Sequence, residues 1–195
     1  MTPVRQYLRG ITTIRAGFKK PEGWQYTCME EYVDRNGVEF KSQSLTTEEI
    51  AIVCKTATRT RSKFALKECF FNAQLLALHD LSGSLVYHEG WAFSGILPVQ
   101  HAWVTIHDKV VDLTWRLNPA LNKKGRFQDR VLGTFPEEYE YIGVPFLDKT
   151  EIFQLLADRG WAGSILDDWE NRWPLLRGFP MGTVGDSDSS VLENA

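Results

Sequence analysis

The chain has 195 residues, 43% of them hydrophobic and 24% charged, with a net charge of −3. That is the size of one domain, or one domain with a tail, and it can bury a core without a metal or disulfide staple. Nothing in the charge balance argues for nucleic acid or acidic membranes, and no apolar run approaches the ~18 residues of a membrane span.

Residues 1–22 are basic, with Arg5, Arg9, Arg15, Lys19 and Lys20 before the first acid, Glu22. Such a weak cluster fits a solvated amphipathic segment better than a nucleic-acid arm. "WQYTCMEEYV", "DRNG" and "VEFKSQS" suggest two strands around an Asn36-Gly37 turn, since both residues tolerate positive φ. In "TTEEIAIVCKTA", Thr46 and Glu49 form a capping box, and Ile50, Val53 and Cys54 recur at helical spacing, which puts Cys54 on the apolar face. "KECFFNAQLLALHDL" is a second helix, with Phe70, Ala73, Leu76 and Ala77 in one stripe and Cys69 in its first turn. "SLVYHEGWAFSG", "VQHAWVTI" and "VVDLTW" are strands, the last two joined at His107-Asp108-Lys109, and "EEYEYIGVPF" is a candidate for another. "DKTEIFQLLADRG" is a helix opened by Asp148 and Glu151 and closed by Gly160. "ILDDWENRW" is a short helical candidate stopped by Pro174. The expected class is α+β, helices beside an antiparallel sheet. Residues 1–177 form one domain with its core at about 45–145, and residues 178–195 form a mobile tail.

Three cysteines without a pairing pattern, Cys28, Cys54 and Cys69, point to a reducing compartment, with cytoplasmic as the default. The N-terminus also lacks the continuous apolar stretch of a secretion signal. Cys28 and Cys54 are expected to be core thiols. Cys69 differs, because the free N–H groups and dipole of a helix start favour thiolate over thiol. A histidine beside it, His101, would hold the thiol proton and return it to a leaving group. A carboxylate beyond the ring, Asp112, would fix its tautomer and steady its charge. Hairpin register sets Asp112 near Val104 or Ile106 rather than opposite His101, so twist or a bulge must bring the pair together.

Three elements in order resemble the transglutaminase-like branch of papain-type cysteine enzymes. They are Cys69 with Phe70 and Ala73 on a helix, His101-Ala102-Trp103 on a strand, and Asp112 with Thr114 on the next, with Tyr87 to Gly90 as a glycine-containing strand end between the first two. The similarity covers about residues 63–116. It implies a papain/transglutaminase-like core, with the nucleophile helix packed on the sheet. It also implies Cys69 as nucleophile, His101 as base and Asp112 as orienting carboxylate. Two positions depart from the family pattern: Leu113 stands where many members have proline, and Lys63 where papain-like proteases place an oxyanion-hole glutamine. The Cys69 backbone N–H is then the expected oxyanion donor, with the second donor unassigned.

The implied activity is acyl transfer on an amide or ester through a thioester, as a peptidase, amidase, deamidase or transglutaminase, with a protein or peptide substrate and no cofactor. A silent peptide-binding module on the same fold is the alternative. Glu89 either selects a cationic or amide group on the substrate or is a solvated turn residue. Trp91, Trp103 and Trp115 are candidates to line a groove, the last two also to pack under the histidine. His79, His88 and His107 lack the close ligand spacing of a zinc site, so no metal is expected. Oligomeric state is left open.

Overall fold

A computed structural model of the chain describes residues 1–116, 131–146, 149–160 and 162–179. In chain order the elements are α1 (Pro3–Ala16), α2 (Met29–Asn36), β1 (Val38–Glu39), α3 (Thr47–Arg59), α4 (Cys69–His79), β2 (Leu85–Ser94), β3 (Val99–Ile106), β4 (Lys109–Val111), α5 (Leu113–Arg116), β5 (Tyr139–Phe146) and α6 (Lys149–Arg159), followed by a 3-10 turn at Pro174–Arg177. The strands form one antiparallel sheet in the order β1-β5-β2-β3-β4, so the class is α+β.

The two faces of the sheet follow from strand alternation. Leu85, Tyr87 and Trp91 of β2, Ala102, Val104 and Ile106 of β3, and Ile142, Val144 and Phe146 of β5 point one way. They bury against Ala73, Leu76 and Ala77 of α4, Val4 and Leu8 of α1, and Val33 of α2. On the opposite face Ala92, Trp103 and Tyr141 form a smaller aromatic cluster with Phe40 and Val131. The stripe expected on α4 is therefore its core face.

The N-terminal segment is docked rather than solvated. Val4 and Leu8 are fully buried, and burying side chains of this size is worth about 1.5–3 kcal/mol each. The Arg9–Asp34 pair is exposed on the arginine side, where such pairs contribute about 0–1 kcal/mol, while the half-buried Arg5 bonds the Asp34 carboxylate and the Asp34 and Gly37 carbonyls and adds to the docking. The Val4 amide, free at the helix start, donates to Glu140 on β5 at 2.9 Å.

The hairpin expected around Asn36-Gly37 is instead a helix and an extended exit. Cys28, Met29, Tyr32 and Val33 share one helix face, and the Glu31 carboxylate accepts from the Thr27 N–H at 2.6 Å and the Thr27 hydroxyl at 2.7 Å, closing the helix start. Gly37 has φ −77 and ψ 143, so it makes no turn. It is small for another reason: a Cβ there would lie 2.5 Å from the Val33 carbonyl oxygen.

The capping box at Thr46 and Glu49 is present. Glu49 also receives Lys109 at 2.8 Å and His107 at 2.9 Å, tying α3 to the β3–β4 turn. Cys54, expected in the core, is exposed, whereas Cys28 is buried. The buried residues of α3 are Glu49, Val53 and Thr56. The polar anchor at Glu49 rotates the helix so that Ile50 and Cys54 face outward.

The β3–β4 turn is shorter than expected. His107 and Asp108 both have positive φ, 47 and 62, and Ile106 pairs with Lys109, the two-residue turn that matches strand twist. The strand expected through "VVDLTW" ends at Val111, and α5 follows. Gly90, expected at a strand end, lies inside β2 opposite His101 and Gly143. Residues 165–173 make turns rather than a helix, and Pro174 opens the 3-10 turn instead of stopping one. Gly160 does close α6, at φ 70. Asp148, the Glu151 side chain and all but the first two residues of the expected 178–195 tail lie outside the described residues. Among the described residues no helix is long and apolar enough to cross a membrane.

Gly37→Ala is expected to cost about 1–3 kcal/mol through overpacking against a backbone oxygen, visible as a lower urea midpoint. Glu49 is held down to about 2, mainly by the Lys109 ammonium, with the Thr46 amide and His107 adding to it against the effect of burial. Its stabilisation is thus present above its ordinary value of 4.5 and lost as pH falls through about 2. Glu49→Gln is expected to flatten that acid limb in thermal melts; an unchanged limb would remove Glu49 as its cause.

Candidate active site

Cys69 is the first residue of α4, where backbone N–H groups have no partner within the helix. The chain reaches it through Lys67, a non-glycine residue at φ 67. Such a conformation costs roughly 1–3 kcal/mol and persists only where its surroundings impose it. Asn72, one turn into α4, supplies the restraint. Its Oδ1 accepts from the Ala65 N–H at 3.2 Å, and its Nδ2 donates to the Ala65 carbonyl and to the Thr114 hydroxyl, both at 2.8 Å. One buried amide thus binds the loop before the cysteine to the segment after Asp112.

His101 stands on β3 with 3% exposure, and Asp112 follows β4 with 1%. The register that pairs Val104 with Val111 continues towards Trp103 and Asp112, leaving His101 diagonal to Asp112 on the same face. A diagonal Cα separation of about 7–8 Å is closed by the side chains: His101 Nε2 meets Asp112 Oδ2 at 2.7 Å. The termination of the strand at Val111 makes room for this. Asp112 Oδ1 accepts from the N–H groups of Thr114 and Trp115, at 2.9 and 3.0 Å, and so caps α5. Tyr141 on β5 donates to Oδ2 at 3.0 Å.

With Nε2 committed to Asp112, Nδ1 is the nitrogen left for the thiol; Cys69 and His101 line the same cleft, and the sulfur is near enough to act on the charge of the ring. Burial opposes the charge on that ring. The Asp112 carboxylate outweighs it, with a smaller contribution from the Cys69 sulfur, and raises His101 to about 10. Trp115 stacks on the imidazole at 4.6 Å between centroids, and Trp103 lies near-parallel to it at 6.3 Å. Trp103 in turn lies over Gly143, where a Cβ would come 2.5 Å from the indole. Cys69 and His101 face a cleft of about 340 Å³ that is also lined by Leu66, Lys67, Val99, Gln100, Thr114 and Trp115, with Asp112 behind the ring and off the lining.

The structure thus brings Cys69, His101 and Asp112 together, and places Trp103 near the ring but off the cleft lining and Trp115 on the cleft wall. Two candidates are elsewhere. Glu89 is neither solvated nor at a turn, and it does not line the cleft. It is fully buried, accepting from the Tyr87 and Ser164 hydroxyls and the Ile165 and Leu166 N–H groups at 2.6–3.0 Å. Burial raises its carboxyl despite these donors. Trp91 is a core residue packed near Tyr7, at 6.4 Å between ring centroids. Lys63 is exposed and off the cleft, while Lys67 lines it. Sequence reasoning missed Asn72, Gln100 and Tyr141. Asn72 left a trace, a polar residue three positions after Cys69 on a buried stripe. Tyr141 left none, because its role depends on β5 lying across the sheet.

His79 bonds the Leu75 carbonyl, His88 the Thr105 hydroxyl and His107 the Glu49 carboxylate. Among the described residues there is no cluster of three or more groups suited to hold a metal ion.

The raised His101 carries a sign. The charged ring adds stability that is full below its ordinary 6.5 and lost as pH rises through about 10. In ring-nitrogen NMR, His101 is expected to remain protonated past about pH 8. Asp112→Asn is expected to bring the transition below 6.5, because burial then dominates. A wild-type transition near 6.5 would contradict the coupling. No family model matches this chain, and neither does any curated protein or solved structure.

Proposed function

We propose that the protein is a cysteine-dependent acyl-transfer enzyme on a transglutaminase-like core. The observation that supports this best is a buried imidazole bonded to a fully hydrogen-bonded carboxylate and sharing one cleft with a helix-start thiol. Cys69 as thiolate attacks an amide or ester carbonyl carbon, forming a C–S bond and moving the carbonyl electron pair onto oxygen. His101 gives its proton to the leaving amine or alcohol as the carbon–heteroatom bond breaks, and a thioester remains. Water or an amine then attacks the thioester while His101 takes back a proton, releasing acid or amide and the thiolate. Water makes the enzyme a peptidase, amidase or deamidase; an amine makes it a transglutaminase. A positioned acid–base of this kind contributes about 10²–10⁴-fold.

The substrate we propose is a protein or peptide segment, for which an open cleft with apolar walls at Leu66 and Val99 is suited. All three cysteines are free, and a reactive thiol suits a reducing, cytoplasmic setting. The reading needs no cofactor.

Accessibility and chemistry predict opposite outcomes in one experiment, iodoacetamide labelling of each cysteine by mass spectrometry across pH. Cys54 is exposed and Cys69 only 8% exposed, so accessibility alone favours Cys54. The proposal expects Cys69 to label faster below about pH 7, and expects His101→Ala to abolish that advantage. If Cys69 is protected or labels like an ordinary thiol, the silent peptide-binding module on the same fold takes over.

A further inference from the structure

Acyl transfer at Cys69, the reading on which this inference rests, needs two donors for the oxygen that becomes negative in the tetrahedral intermediate. The helix start supplies one N–H. The cleft holds a second amide-bearing group in Gln100, immediately before His101 on β3. Neighbouring strand residues point to opposite faces. Among the described residues β4 pairs with β3 only at Val104–Ile106, so the edge of β3 at Gln100 and His101 is where the cleft opens. Both side chains therefore flank it, His101 on the aromatic face and Gln100 on the face that carries α4.

Hydrogen-bond valence fixes which end of the Gln100 amide is held. Ser164 Oγ lies 2.7 Å from Glu89 Oε2 and 2.9 Å from the Asp167 N–H. Glu89 also receives the Ile165 and Leu166 N–H groups, which can only donate. The single hydroxyl hydrogen of Ser164 therefore goes to Glu89. What remains on Ser164 is acceptor capacity, so Gln100 must present its Nε2, which donates at 2.9 Å. One Nε2 hydrogen is used in this way and the other is left for the cleft. A fully buried carboxylate behind the site thus sets the direction of a half-buried amide at its mouth.

We infer that Gln100 is the side-chain oxyanion donor of the Cys69 site, with Ser164 and Glu89 as its positioning residues. In the reaction, Cys69 sulfur bonds to the acyl carbon, the carbonyl pair moves to oxygen and is met by the free Gln100 N–H, and collapse expels the leaving group.

Two probes separate this role from thiol activation. Iodoacetamide is displaced at a saturated carbon and forms no oxyanion; p-nitrophenyl acetate acetylates Cys69 through one and releases p-nitrophenolate. Both rates are read on the full chain, by mass of the modified Cys69 and by absorbance. Gln100→Met keeps the shape and removes the donor. It is expected to slow acetylation about 10²–10³-fold while iodoacetamide labelling stays at the wild-type rate. Ser164→Ala is expected to lower acetylation by less, and Ser164→Thr, which keeps the hydroxyl, to restore it. Unchanged acetylation in Gln100→Met overturns the inference, and so does an equal fall in both rates. A wild-type Cys69 that labels but is not acetylated also overturns it. A wild-type Cys69 that does neither overturns the acyl-transfer reading as well.

Discussion

The Asp112 carboxylate is the group on which the arrangement around the cleft depends. Its four partners come from three directions: two backbone N–H groups of the next turn, the Tyr141 hydroxyl across the sheet and the His101 ring. A carboxylate in a nearly dry interior must collect such donors, because an unpaired buried charge costs several kcal/mol. Satisfying it ends β4, starts α5, carries Trp115 onto the imidazole and links β5 to β3. Removing either partner of a buried pair of this type typically costs about 3–5 kcal/mol. The interaction that orients the ring is therefore also one that holds the local fold.

Around that centre the same solution recurs: a buried polar side chain serves as a many-handed clamp. Asn72 holds the loop before Cys69 to Thr114. Glu89 holds residues 164–166 to the sheet. Glu49 holds α3 to the β3–β4 turn. Apolar packing cannot fix loops with this angular precision, since it is non-directional. Asn72 and Glu89 act beside the cleft, through Thr114 and through Ser164 to Gln100, and Glu49 acts at the other end of β3. The rigid helix–sheet core beneath supplies the stability on which these oriented groups rest.

Some of this was legible in the amino-acid sequence. The α4 stripe, the capping box at Thr46, strands β2, β3 and β5, and the closing Gly160 are local patterns, and local patterns survive folding. The residues from Cys28 to Gly37 show where this fails. Their apolar positions fit two periods, and an Asn-Gly pair tipped the balance towards a hairpin. A helix wins because Val33 finds a fully buried place against the core, and Gly37 is needed for closeness rather than for a turn. Cys54 fails for a related reason: the Glu49 anchor, set by Lys109 and His107 from another part of the chain, chooses the rotation of α3.

The sequence by itself determined the class, the main strands and the helix that begins at Cys69, together with the order of a thiol, an imidazole and a carboxylate. These follow from periodicity, caps and residue chemistry, all of which act over a few neighbouring positions. Only the tertiary structure decided that Asp112 leaves its strand to meet His101 on the diagonal, that Tyr141 joins them, that Trp91 belongs to the core, and that Glu89 lies behind the cleft rather than in it. Each of those outcomes joins residues far apart in the chain, and a buried polar group's partner is set by which backbone arrives beside it once the core has closed.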